Sequence, residues 1–355
     1  VSKGEHHFAL KAIIMSEKKD RSISLALQGG GAHGAFTWGV LDRLIDEPGL
    51  DIKAITATSA GAMNAVAFAS GLATGGADGA KQTLERFWRV VSEKGAAFSA
   101  FSMSNTPLSL LPFGPFQAAM AFTSIASPYE FNPFDLNPLR DALDEAIDFD
   151  AVHHAPIDLF LSATNVETGR VKVFQDGEIG RDAVLASACL PQTFRAVEID
   201  GSAYWDGGYM GNPSLFPLIY NKAPRDVLLV LLNPISRLGI PKRVPEIMDR
   251  LNEISFNASL IGELRSIAFV QKLLDDGMLK KSAAKEYRRL NIHALRGGQV
   301  LRELSMQTKY DTSWGFLTDL RDKGRDAASS WLKTCGHYLG TGESSVDLRK
   351  EFLEA

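Results

Sequence analysis

The stretch from Ile55 to Gly71 constrains the fold of this chain most: Ile-Thr-Ala-Thr-Ser-Ala-Gly-Ala-Met-Asn-Ala-Val-Ala-Phe-Ala-Ser-Gly. A short β-favouring run meets Ser59, and a small-residue apolar helix follows without a linker. A serine at so sharp a corner needs small neighbours two residues to either side, and Ala57 and Gly61 stand there. The corner lifts the hydroxyl off the sheet and turns the N-terminal dipole of the following helix toward it. Serine is also a preferred helix N-cap, so the flanking sequence has to decide between a cap and a nucleophile.

Upstream, Ser22 to Gln28 alternates small or polar with aliphatic residues and predicts a buried strand. It runs into Gly29-Gly30-Gly31-Ala32-His33-Gly34, then a helix over Ala35 to Ile45 with Trp38, Val40, Leu41 and Leu44 at core spacing. A second strand over Ile52 to Thr58 delivers Ser59. This βαβα order predicts an α/β fold, a mainly parallel sheet between helical layers. Downstream come a turn at Gly75 to Gly79, a helix over Ala80 to Ser92 and a helix from Pro138 to Ala146. A hairpin is predicted over Asp158 to Phe174, and a second, about Asp200-Gly201, leads to Trp205 and Asp206-Gly207-Gly208. Val227 to Leu232 is the candidate central strand. Beyond Pro241 the pattern is helical, with Ile247, Leu251, Ile254, Leu260, Leu264, Ile267 and Val270 as expected core, and one more strand over Leu290 to Leu295.

Between Gly95 and Pro138 phenylalanine, proline and small residues crowd together. Pro112, Gly114 and Pro115 interrupt the run too early for a transmembrane helix, which predicts an apolar loop region. Its Phe113 and Phe116 are candidate acyl-chain contacts, in a channel or an interfacial lid; plain core is the alternative. With 355 residues, 45% of them hydrophobic, the chain can bury a large core. Its 38 basic and 42 acidic residues are too balanced for a nucleic-acid partner. Two cysteines make no disulfide framework and suit a reducing, cytoplasmic setting. The expected organisation is an N-terminal extension over residues 1–20 with Met15 as a candidate natural start, a catalytic domain over 21–240, and a helical region over 241–355 packed on it.

Gly29, Gly31 and Gly34 match the dinucleotide fingerprint, but the next strand ends at Ser59 and not in the acidic residue that would hold a ribose; Asp51 lies before that strand. Joined to Ser59, the same glycines have another use. Bare backbone N–H groups of Gly29, Gly30 and Gly31 can converge on the oxyanion of an acyl-transfer intermediate, each such donor contributing about 3–4 kcal/mol elsewhere. The nucleophile then needs a base. His293 or His337 would fit the order of a Ser–Asp–His triad, yet neither sits in a distinctive setting. Asp206, directly after a strand and held by two glycines, can be presented into a site. A free aspartate is a weak base, so a direct Ser–Asp dyad requires desolvation of its carboxylate. His33 lies inside the glycine loop, where it either contacts substrate or faces solvent.

Taken in order, Gln28-Gly-Gly-Gly-Ala-His-Gly34, Ala57-Thr-Ser-Ala-Gly61, Ala186-Ser-Ala-Cys-Leu-Pro191 and Asp206-Gly-Gly208 resemble the patatin-like phospholipases over roughly residues 22–234. The resemblance implies a three-layer α/β/α fold and lipid acyl hydrolysis by a Ser–Asp dyad, without histidine, metal or other cofactor. Ser59 would be the nucleophile, Asp206 the base, and Gly29, Gly30 and Gly31 the oxyanion donors. Two positions depart from the pattern. Ala57 stands where the family usually has glycine, and His33 stands where it commonly has arginine, exchanging a permanent cation for a titratable group. The expected partner is a lipid or ester met at a membrane surface in transient contact. Simple esters or polyesters are alternative substrates for the same dyad. A non-catalytic nucleotide- or lipid-binding module is the alternative from another class.

Overall fold

Strand β1 (Ser22–Leu27) is buried from Ile23 onward and lies between two parallel neighbours, β2 (Asp51–Thr58) and β7 (Asp226–Leu231). In this computed structural model residues 21–104, 127–132, 134–280 and 287–354 are described, with 96–104 and 131 described by backbone alone. Helix α1 (Gly34–Leu44) carries the chain from β1 to β2 and buries Trp38, Val40, Leu41 and Leu44 as the spacing predicts. Helix α2 (Ala60–Ser104) follows Ser59 and breaks at Gly75 and Gly76, where the backbone leaves helical angles. The helix continues past Gly95, where the sequence reading expects the irregular apolar region to begin. Alanines on the far side of a single glycine restore helix propensity.

Strand β3 (Asp158–Asn165) forms the expected hairpin with β4 (Val171–Gln175). Helix α3 (Pro138–Ala146) precedes it, and helix α4 (Arg181–Ser187) follows. Strands β5 (Val197–Ile199) and β6 (Ser202–Asp206) turn tightly about Asp200 and Gly201, both at positive φ. The mixed sheet has the order β5-β6-β3-β2-β1-β7-β8, with β4 paired to β3 and β8 (Asn291–Arg296) parallel to β7. Strand β7 alternates between two cores. Leu228 and Val230 pack with α1, α2 and α6 (Trp314–Cys335), while Val227, Leu229 and Leu231 pack with α5 (Val244–Asp275). The architecture is three-layered, α/β/α, with the C-terminal helical region closing both faces and adding a strand.

Helix α5 corrects one expectation. Leu260, Leu264 and Ile267 are buried, but Ile247, Leu251 and Ile254 are exposed. In its first half the buried face carries Glu253, Phe256 and Asn257 and meets the loops at the carboxyl ends of the strands. Polar partners, not aliphatic ones, select that face. No helix among the described residues is long and apolar enough to cross a membrane.

Candidate active site

Register alone explains how residues 59 and 206 meet. Strand β2 runs parallel to β3 and ends with Thr58 opposite Ser162. Strand β6 runs antiparallel to β3 and ends with Asp206 opposite Ala163. Because β4 occupies the other edge of β3, β2 and β6 lie end to end on one edge, their last residues facing each other. Ser59 turns this corner at φ +55, a left-handed conformation costly for a residue with a Cβ. It is held there: its N–H donates to Ser187 Oγ at 2.9 Å, and that hydroxyl donates to the Ser162 carbonyl at 2.7 Å.

Asp206 is fully buried. Its Oδ1 accepts the Gly208 N–H at 2.7 Å, its N–H donates to the Cys189 carbonyl at 2.7 Å, and its carbonyl accepts from Thr164 Oγ1 at 2.8 Å. Its Oδ2 is buried without a fully formed hydrogen bond. Burial pushes the carboxyl up from 3.8 to about 6; the Gly208 N–H, the neighbouring Ser59 hydroxyl and Lys309 each hold it down. Ser59 thus acts on the carboxyl at close range but outside good hydrogen-bond geometry, as catalytic pairs often do before substrate arrives.

The glycine loop lies against this corner. A Cβ on Gly29 would sit 2.7 Å from Ser59 Cβ and 2.9 Å from the Thr58 carbonyl, so only glycine fits. Gly31 has φ +59, and a Cβ there would meet the Lys309 carbonyl at 2.5 Å. The three loop N–H groups are not equivalent. Gly29 donates to Asn212 Oδ1 at 2.7 Å, which removes it from the expected set of oxyanion donors. Gly30 and Gly31 make no hydrogen bond through N–H to the described residues.

His33 does not face solvent. It is buried, its Nε2 lies 2.8 Å from Thr308 Oγ1, and burial, aided by Lys309, lowers its pKa to about 3. It is therefore neutral at physiological pH and carries no positive charge. His293 is buried at the far end of the sheet, with Nε2 3.1 Å from Asp226 Oδ1, where β7 begins. His337 is exposed beside Tyr338 and close in sequence to Gly340, which donates to the same aspartate. Neither histidine reaches Ser59. Phe113 and Phe116, with residues 105–126 of the expected Gly95 to Pro138 channel region, lie outside the described residues. Asp51 is exposed at the start of β2 and ion-paired with Lys53 at 2.8 Å, far from the glycine loop, so the dinucleotide arrangement is not formed.

Most of the side chains that support the loop carry no sequence signal. Gln28 Oε1 accepts the Leu232 and Asn233 N–H groups at 2.8 Å each, and its Nε2 donates to Asn257 Oδ1 at 2.8 Å. Asn212 Nδ2 donates to the Phe256 carbonyl at 3.1 Å, and Asn233 Nδ2 donates to the Gly29 carbonyl at 3.0 Å. These amides hold the glycine loop between β7 and α5. Only Gln28 lies in a recognisable motif, and nothing local marks the others.

Glycine loop and serine corner lie at the carboxyl ends of adjacent parallel strands, between two helical layers of an α/β protein. A model of the patatin-like phospholipases matches residues 25–219, more than half of the chain. The chain belongs to that family of lipid acyl hydrolases. No curated protein matches it. Among solved structures, VipD from Legionella pneumophila is similar at 15% identity and a TM-score of 0.43, covering 88% of this chain and 67% of VipD. The type III effector ExoU is similar at 16% identity and a TM-score of 0.32, covering 88% of this chain and 53% of ExoU. The chain thus spans about two thirds of the one and half of the other.

Proposed function

We propose that the chain hydrolyses acyl esters of lipids by a Ser59–Asp206 dyad, with Gly30 and Gly31 as the oxyanion donors. The observation that carries this is the end-to-end meeting of β2 and β6, with a buried carboxyl beside the Ser59 hydroxyl and two unengaged amides above it. A carboxyl near 6 is ionised at neutral pH and is a stronger base than a free aspartate. Asp206 takes the Ser59 proton as Oγ attacks the ester carbonyl carbon. The carbonyl oxygen gains the negative charge and is held by the Gly30 and Gly31 N–H groups. Collapse of the intermediate expels the alcohol, which receives the proton from Asp206. Water, deprotonated by Asp206, then attacks the acyl-Ser59 ester; the proton passes from Asp206 to the departing Ser59 Oγ as the fatty acid is released. Lipid substrates reside in bilayers or micelles, so turnover involves transient contact with such a surface.

A fluorophosphonate probe tests the assignment. The adduct is expected on Ser59, with Ser59→Ala unlabelled and inactive on a panel of phospholipids, lysophospholipids and short esters. Labelling at another serine, or hydrolysis by S59A at the wild-type rate, would refute it.

A further inference from the structure

A cation does reach the glycine loop, but it comes from beyond the family-matched residues. The 3₁₀ turn Gln307–Tyr310 covers the loop: Thr308 meets His33, the Lys309 carbonyl packs against Gly31, and the Lys309 side chain points inward. Its Nζ donates to Asn233 Oδ1 at 2.8 Å and to Asn252 Oδ1 at 2.6 Å, and lies 5.3 Å from the centre of the Phe256 ring. The charged and titratable groups around it are Asp249 and Glu253 on α5, Asp206, and His33. Glu253 is already ion-paired with Arg237 and Arg250, and Asp249 accepts the Met306 N–H at 2.8 Å. Both hydrogen bonds of the ammonium go to neutral amide oxygens, so neither of them neutralises its charge.

We infer that Lys309 is a positioning residue for ester hydrolysis: it locks Asn233 so that the Gly30 N–H points at the oxyanion, and it supplies the positive charge that the loop lacks at His33. This inference rests on the dyad assignment above. The Gly29 carbonyl and the Gly30 N–H belong to one planar trans peptide and point in opposite directions. Asn233 Nδ2 holds that carbonyl at 3.0 Å, which fixes where the N–H points. The Lys309 ammonium on the Asn233 oxygen favours the amide orientation that turns Nδ2 toward the Gly29 carbonyl. The same charge acts on Asp206, lowering its pKa and favouring the ionised base.

Hydrolysis of a soluble butyrate ester, measured from pH 4.5 to 10, separates this role from packing. In the wild type, kcat should rise through about 6 as Asp206 ionises and fall through about 8, where burial has brought the Lys309 ammonium. Lys309→Met should lower kcat by roughly 100-fold, comparable to losing one oxyanion donor, with KM changed less than threefold. It should abolish the alkaline fall and move the acid limb upward, because a cation that holds Asp206 down has gone. Lys309→Arg, charged at every accessible pH, should recover much of kcat without the alkaline fall. A K309M kcat within twofold of wild type, or a lowered kcat with both limbs unmoved, overturns the inference. If K309M lacks a cooperative melt, K309R decides: an alkaline fall that persists near 8 overturns it. Ser59→Ala is the control. Full activity in S59A would refute the dyad, whereas an inactive S59A beside an unaffected K309M would refute only the part given to Lys309.

Discussion

Asp206→Asn should make the protein more stable at neutral pH while abolishing its hydrolysis of esters. The fold holds this carboxyl at about 6 against an ordinary 3.8. A carboxyl that holds its proton more tightly folded than unfolded favours the fold below 3.8, and that contribution is lost as pH rises through about 6. At about 1.4 kcal/mol per tenfold in proton affinity, the ionised side chain costs the native state about 3 kcal/mol at pH 7.5 and about 1 kcal/mol at pH 4.5. An amide carries no such charge. Its oxygen keeps the Gly208 N–H, and its NH₂ takes the unpartnered Oδ2 position at a cost of about 1 kcal/mol. The variant should therefore gain about 2 kcal/mol on wild type at pH 7.5 and nothing at pH 4.5. Urea unfolding at the two pH values measures the difference. The accompanying fall in kcat should be at least about 10²- to 10⁴-fold, the range for loss of a general base. A stability gap that ignores pH, or a D206N protein that turns over at the wild-type rate, would refute the reasoning.

Other substitutions test the frame around the dyad. Ser187→Ala removes the acceptor of the Ser59 N–H and the donor to the Ser162 carbonyl, so it should cost about 2–3 kcal/mol. Fluorophosphonate labelling of Ser59 should slow with it, as read by stopped-time mass spectrometry. Gly31→Ala meets both the left-handed backbone and the Lys309 carbonyl; about 2 kcal/mol of stability should be lost. Its kcat should fall more than its KM rises, in steady-state assays. His293→Ala strips Asp226 of a partner and should lower stability by about 1–3 kcal/mol in urea melts. Its kcat should stay within twofold of wild type; a large loss would revive the triad.

The first half of the fold is legible in sequence because its signals are local. A strand, three glycines and a helix are contiguous, as are β2, Ser59 and α2, and each carries its own periodicity or turn chemistry. Helix α5 marks where that kind of reading fails. Its aliphatic stripe at Ile247, Leu251 and Ile254 has the spacing of a core face, yet Glu253 and Asn257 lie on the buried side. Periodicity finds a stripe; it does not say whether aliphatic contacts or buried polar partners decide which side turns inward. Here Gln28, at the end of β1, and Arg237, in a loop after β7, supply those partners.

The same distinction separates the dyad from the frame that aims it. Ser59 and Asp206 are fixed by strand ends, which motifs report. The direction of the Gly30 N–H is fixed by Asn233, and Asn233 by Lys309, two residues with no motif and 76 positions apart. An oxyanion hole built of bare glycines has no side chains of its own to resist rotation of its peptides. Rigidity must then come from outside the loop, through hydrogen bonds to the peptide groups that flank the Gly30 and Gly31 N–H groups. The amides at 212 and 233 meet that need on the two sides of Gly29, one through its N–H and one through its carbonyl. A glycine loop of this kind depends on residues outside itself, and the region beyond residue 219 supplies two of them, Asn233 and Lys309.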